Sequence, residues 1–132
     1  MTNLDLACME TAQTMVSGQG FGRDKEDLAT KALGVLLENG PYGMVLFLNM
    51  KKKDQVAIRY QQQLVGLFRN PALQSFVSVP PLNGDAEAWL RGVAQDLDAY
   101  LFVKRLWQQT LTYARYHAKA AEDSGAPAQP GG

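Results

Sequence analysis

The fold is decided by residues 98–118, which read DAYLFVKRLWQQTLTYARYHA. Apolar and small side chains recur there at every third or fourth position. They are Tyr100, Val103, Trp107, Leu111, Ala114 and Ala118. Because an α-helix has 3.6 residues per turn, this spacing places all of them on one side of a helix. The stretch therefore predicts a long amphipathic helix, capped by Asp96 or Asp98 and running to about Ala121, whose apolar side packs in a core.

The rest of the chain repeats this spacing and predicts an all-α fold, a compact bundle of about six helices. The glycine-rich segment 18–22 is predicted to be a loop, and Asp24 to cap the second helix. Asn39-Gly40-Pro41 is expected to end that helix, because a C-cap glycine is followed there by a proline. For residues 42–50 a buried helix is favoured, and a strand is the alternative. The predicted helices cover about residues 4–17, 24–39, 42–50, 56–70, 86–95 and 96–121.

The composition is typical of one soluble globular domain. Of the 132 residues, 46% are apolar and 20% are charged, so the chain can form a core. Residues 1–121 are predicted to form the helical domain, residues 71–84 a connector within it, and residues 122–132 a disordered tail. The longest strongly apolar run, 44–48, is too short to span a membrane. No secretory signal is visible at the start, so we expect a cytoplasmic protein with no membrane partner.

Few residues suit catalysis or metal binding. Cys8 and His117 are the only cysteine and histidine, which excludes an intrachain disulfide and a Cys/His zinc site. Cys8 falls on the apolar side of the first helix, and His117 is expected on a helix surface. The carboxylates at 24–27 are explained by the start of a helix, and the glycines at 18–22 lack the Lys-Ser/Thr of a phosphate loop. We therefore expect no enzymatic activity, no metal and no cofactor.

The charges are segregated along the chain although their sum is zero. Residues 40–69 contain five basic and one acidic side chain, and residues 99–132 contain four and two. Lysine and arginine with interspersed glutamine suit sequence-independent contacts with an RNA backbone. Solvated helix faces are the alternative explanation. An exposed aromatic platform for stacking bases is not predicted, because Trp107 and Tyr60 fall on core faces. The candidate RNA-backbone contacts are Lys51, Lys52, Lys53, Arg59, Arg69, Lys104, Arg105, Arg115 and Lys119.

Two segments resemble a known family. One runs from Glu38 to Leu48, ENGPYGMVLFL, and is followed by the lysines at 51–53; the other is the stretch 98–118 quoted above. Together they resemble the small-subunit family of the type III-B (Cmr) CRISPR effector complex, in which an Asn-Gly turn opens a short apolar helix ending in lysines. The resemblance spans about residues 4–120 in the order of elements, and it is specific mainly over 38–53 and 98–118.

The resemblance implies an all-helical, non-catalytic subunit that acts in antiviral defence. Such subunits stack head to tail with further copies of themselves into a short filament along the guide RNA–target RNA duplex. They also contact the large polymerase-like subunit, while the backbone subunits cleave RNA. Two alternatives stay open: the small subunit of the related type III-A complex, and a helical protein–protein adaptor without direct RNA contact.

Overall fold

The structure is a computed structural model that describes residues 4–17, 22–51, 53–82 and 85–124. Within these ranges it contains five α-helices, two 3-10 turns and no strand, so the predicted all-α class is confirmed. The α-helices are α1 (Leu4–Val16), α2 (Gly22–Asn49), α3 (Gln55–Gly66), α4 (Ala86–Val93) and α5 (Leu97–Ser124). The 3-10 turns cover Leu67–Arg69 and Pro71–Leu73. Most of the predicted glycine-rich loop, Lys52 and residues 125–132 of the predicted tail lie outside the described residues.

The count of six helices is wrong because two predicted helices form one bent element. Helix α2 continues through Pro41, and its only non-helical residue is Gly40, with φ 80° and ψ 179°. The bend leaves the backbone N–H of Tyr42 without an acceptor in the preceding turn, and this N–H donates to the Tyr100 hydroxyl of α5 at 3.0 Å. The favoured helix for residues 42–50 is confirmed. The turn predicted at 39–41 is therefore a kink supported by a distant side chain.

Several helix ends differ from the predicted ones by a few residues. Helix α2 begins at Gly22, so Asp24 lies in its first turn and is not its cap. Asp96, and not Asp98, caps α5: its Oδ1 accepts from the backbone N–H of Asp98 at 3.0 Å. Helix α5 reaches Ser124, so the first three residues of the predicted tail are helical. Such shifts are expected because the end of a helix depends on a single hydrogen bond.

The core lies between α5, α2, α1 and α3, with Trp107 of α5 at its centre. Trp107 is fully buried, and its indole N–H donates to the Leu64 carbonyl of α3 at 2.8 Å. Phe68 and Trp89 pack against it, with ring centroids 6.2 and 6.3 Å away. Tyr60, also fully buried, donates its hydroxyl to the Lys25 carbonyl of α2 at 2.6 Å. The apolar side of α5 is thus a central packing surface, and its opposite side faces outward.

No helix within the described ranges combines the length and the apolar content that are needed to cross a membrane.

Candidate nucleic-acid interface

Four of the predicted cations lie on the outer side of α5 and form one surface, here named the α5 stripe. It contains Lys104, Arg105, Gln108, Thr112, Arg115 and Lys119. Arg105, Gln108, Arg115 and Lys119 are exposed, whereas Lys104 and Thr112 are half-buried. From Lys104 to Lys119 the helix advances about 22 Å, at 1.5 Å per residue. The sequence contains no aspartate or glutamate from residue 99 to residue 121, so α5 itself brings no carboxylate to the stripe along this length.

Three cations of the α5 stripe are available for binding. Within the described part of the chain, no hydrogen bond or ion pair engages the side chains of Lys104, Arg105 and Arg115. A cation that is already neutralised by a carboxylate would have to break that pair before it bound a phosphate. These three side chains meet no such cost, and their positive field extends into solvent. The arrangement can therefore bind a polyanion that runs parallel to the axis of α5.

The two predicted cations of the α3 region have partners within the chain. Arg59 is exposed, but its Nη1 donates to the carbonyl of Thr14 near the end of α1 at 3.3 Å. Arg69 is half-buried; its Nη2 donates to the Pro81 carbonyl at 2.7 Å, and its Nε is buried without a partner among the described residues. Both guanidinium groups thus hold neighbouring segments together, and their contact with RNA stays a prediction.

The lysines after α2 are separate from the α5 stripe. Lys51 is half-buried, with its Nζ 5.4 Å from the centre of the Phe47 ring, which is the distance of a cation–π contact. Lys53 is exposed, and Lys52 lies outside the described residues. Only one fully exposed cation is therefore described in this cluster.

The structure does not join the basic surfaces of α3 and α5. The inner side of α5 reaches the inner side of α3 through the hydrogen bond from Trp107 to Leu64. Arg59 lies on the outer side of α3, and Arg115 lies on the outer side of α5. Both outer sides face away from the core that the two helices share. Among the described cations, those of the α5 stripe follow one another along a single helix face, and a common groove of all nine stays a prediction.

The roles of two side chains, Lys25 against the end of α1 and Tyr116 beside the α5 stripe, were not predicted. Lys25 is buried, and its Nζ donates to the Val16 carbonyl at the end of α1 at 2.8 Å. Burial, and secondarily the charge of Arg59, lowers the pKa of Lys25. Helix α1 has no basic residue in its last turn, so Lys25 and Arg59 supply the positive charge that favours a helix C-terminus.

Tyr116 is 64% exposed beside the α5 stripe, whereas Trp107 and Tyr60 are buried as predicted.

The described residues contain no group of three or more His, Cys, Asp or Glu side chains that could hold a metal ion. Cys8 is fully buried, its Sγ donates to the Leu106 carbonyl at 3.6 Å, and burial raises the pKa of the thiol. His117 is exposed on α5.

Asp5 accepts hydrogen bonds from the Tyr113 hydroxyl at 2.7 Å and from Gln109 at 2.8 Å, which lower its pKa and link α1 to α5. These polar contacts are explained by packing.

Comparisons of the chain with protein-family models, with curated proteins and with solved structures find no match.

Proposed function

We propose that the protein is a non-catalytic small subunit of a type III-B CRISPR RNA-guided effector complex, which supports the guide–target RNA duplex through nonspecific backbone contacts. The observation that carries this proposal is the α5 stripe, an exposed row of cations without carboxylates between residues 99 and 121. The sequence resemblance supplies the type of complex, and the stripe supplies the surface by which the chain would act in it.

The chemistry of the stripe favours phosphates over bases. Arg105 and Arg115 present guanidinium groups that bind phosphate oxygens in a planar, two-pronged geometry, and Lys104 presents a point charge. Gln108 adds an amide that can donate to a sugar or phosphate oxygen. The major groove of an RNA duplex is too deep and narrow to admit a helix, so the side chains of the stripe can reach the backbone and not the base edges in that groove. Contacts of this kind hold a duplex without reading its sequence, as a support along a variable guide requires.

Stacking with further copies and contact with the large polymerase-like and backbone subunits belong to the same proposal. Head-to-tail stacking brings two different faces of the chain together, so the faces must complement each other. Asp24 and Asp27 are exposed at the start of α2, together with Glu38 farther along it. This acidic side of α2 is a suitable surface for a neighbour's cations, provided that the α5 stripe remains free for RNA.

Co-purification tests the proposal directly. The chain, tagged and expressed in its native cell, should bring down a complex that contains guide RNA, and ultraviolet crosslinking should join the chain to RNA. Arg115→Glu should reduce the yield of this crosslink while the recovered subunits stay the same. Gln95→Glu is the control, because Gln95 is exposed after α4, outside both the α5 stripe and the acidic side of α2, and the substitution also adds negative charge.

The alternatives correspond to distinct outcomes. A recovered complex without RNA, or an RNA crosslink that Arg115→Glu leaves unchanged, would contradict the proposal and favour a protein–protein adaptor. Recovery of type III-A subunits with guide RNA would assign the chain to the related complex instead. Recovery of the tagged chain alone would also count against membership of an effector complex.

A further inference from the structure

We propose that Tyr116 stacks on an unpaired base of single-stranded RNA whose phosphates are held by the α5 stripe. The inference rests on the proposed function, because it takes the stripe to bind RNA. It goes further in naming the state of the RNA, which is a strand with an unpaired base next to the duplex. The aromatic ring would bind that base in addition to the contacts that the cations make with the phosphates.

Tyr116 differs from the other tyrosines in that its hydroxyl makes no hydrogen bond with the residues that the structure describes. Each of the other four makes a hydrogen bond through its hydroxyl: Tyr60 with the Lys25 carbonyl, Tyr113 with Asp5, Tyr42 with Arg91, and Tyr100 with the N–H of Tyr42. The Tyr116 hydroxyl makes none within the described residues, and its side chain is 64% exposed. The hydroxyl of Tyr116 therefore contributes no described hydrogen bond to the fold, and most of its side chain faces solvent.

The neighbours of Tyr116 on α5 leave its ring accessible. Residues four positions away lie directly above and below it on the helix surface, and these are Thr112 and Ala120. The Thr112 hydroxyl donates to the Gln108 carbonyl at 2.8 Å, so it is already occupied. Ala120 is exposed and contributes only a methyl group. Tyr113, three positions before Tyr116, is half-buried, and its hydroxyl is bonded to Asp5 of α1 at 2.7 Å, so its side chain is directed to α1.

The charges around Tyr116 favour a nucleic acid over a protein partner. Arg115 precedes the ring in sequence and Lys119 follows it by three residues, so a strand whose base stacks on the ring would place phosphates within reach of both. An aromatic anchor at a protein interface is usually surrounded by other apolar side chains. Here the one aromatic neighbour on the helix surface, Tyr113, is already bonded to Asp5, and the others are threonine, alanine and lysine.

The ring also distinguishes a single strand from a duplex. Bases within a duplex already stack on one another, so a side chain outside the helix meets backbone and groove edges. An unpaired base has a free face, and its stacking on an aromatic ring tolerates any sequence. Tyr116 is thus suited to the nucleotide at which pairing ends, while the cations nearer the middle of α5 can follow the paired backbone.

Binding by the full chain tests the inference. The probes are a 12-nucleotide RNA with 2-aminopurine at its centre, and the same strand annealed to its complement, both in 25 mM salt, where phosphate contacts are strong. Tyr116→Ala should weaken binding of the single strand about fivefold or more and abolish the quenching of 2-aminopurine. Tyr116→Phe should retain both. His117→Ala, an exposed ring removed from the adjacent position, is the matched control and should change affinity less than about twofold.

The salt dependence separates this inference from the proposed function. Tyr116→Ala should leave the slope of log affinity against log salt unchanged, because tyrosine neutralises no phosphate, whereas Arg115→Ala should reduce it by about 0.7 for a single strand. If Arg115→Ala weakens binding and Tyr116→Ala does not, the stacking contact is refuted while the cationic surface stands. If Tyr116→Ala weakens single strand and duplex equally, or the unchanged protein binds no single strand, the inference is also refuted. An effect of Tyr116→Ala together with none of Arg115→Ala would contradict the proposed function.

Discussion

Replacing Trp107 with phenylalanine tests the packing that turns the α5 stripe outward. The substitution removes the hydrogen bond from the indole N–H to the Leu64 carbonyl, 2.8 Å long and fully buried on the Trp107 side. Because the donor is removed and the buried carbonyl loses this partner, the loss of the bond costs about 1–3 kcal/mol. The smaller ring also loses contacts with Phe68 and Trp89. We expect Trp107→Phe to lower the free energy of unfolding by about 2–4 kcal/mol, which is a large part of the usual 5–15 kcal/mol.

The matched control is the same substitution at Trp89. Trp89 is 7% exposed at the edge of the core, and its indole N–H donates to the Ser78 carbonyl at 3.0 Å. Ser78 is exposed, so water can replace the lost donor, and Trp89→Phe should cost only about 1 kcal/mol. Urea unfolding followed by circular dichroism measures both, with an unchanged m-value showing that the denatured state is not altered. A cost for Trp107→Phe below about 1 kcal/mol, or no greater than that of Trp89→Phe, would refute this account of the core.

Three further changes have distinct expected results. Asp5→Asn should lower the free energy of unfolding at pH 7, because the folded state lowers the pKa of Asp5. The difference in this free energy between the variant and the unchanged chain should persist above pH 3.8, the ordinary pKa, and vanish as the pH falls through the lower pKa of the folded state. Thermal unfolding at several pH values measures it. Gly40→Ala should cost about 1–3 kcal/mol, since φ is 80° and ψ is 179° there, whereas Gly34→Ala, inside α2 with open space around its Cβ position, should stabilise by about 0.5–1 kcal/mol; chemical denaturation that ranks them the other way would contradict the kink. Asp85→Ala should cost about 1 kcal/mol by removing the cap that accepts from Glu87 N–H at 2.9 Å, and a melting temperature that does not fall would argue against that cap.

The all-α class and the outward side of α5 could be predicted because both depend on local spacing. A period of 3.6 residues separates buried from exposed positions without any knowledge of partners, and Trp107 and Tyr60 are buried as their positions predicted. The continuity of α2 could not be predicted in this way. Gly40 and Pro41 are strong local signals for an end, and the acceptor for the Tyr42 N–H comes from Tyr100, 58 residues away.

The site was less predictable than the fold because most of its contacts are distant in sequence. Arg59 and Arg69 have the residue type and spacing of RNA-binding cations, but they donate to carbonyls 45 and 12 residues away. Residue type does not distinguish Tyr116 from the four other tyrosines, although its position on the α5 helix could have placed it next to Lys119. Lys25 was overlooked because nothing in its local sequence indicates that it reaches the end of α1.

The hydrogen bond that the Tyr100 hydroxyl accepts affects the direction in which the α5 stripe faces. Tyr100 lies one turn before Lys104 on α5, and its oxygen holds the first free N–H after the bend of α2. A rotation of α5 about its own axis, or a slide along it, would break this contact. The bend in α2 thus helps to fix the rotation and the axial position of α5, so an uncharged residue contributes to the direction in which the cations point.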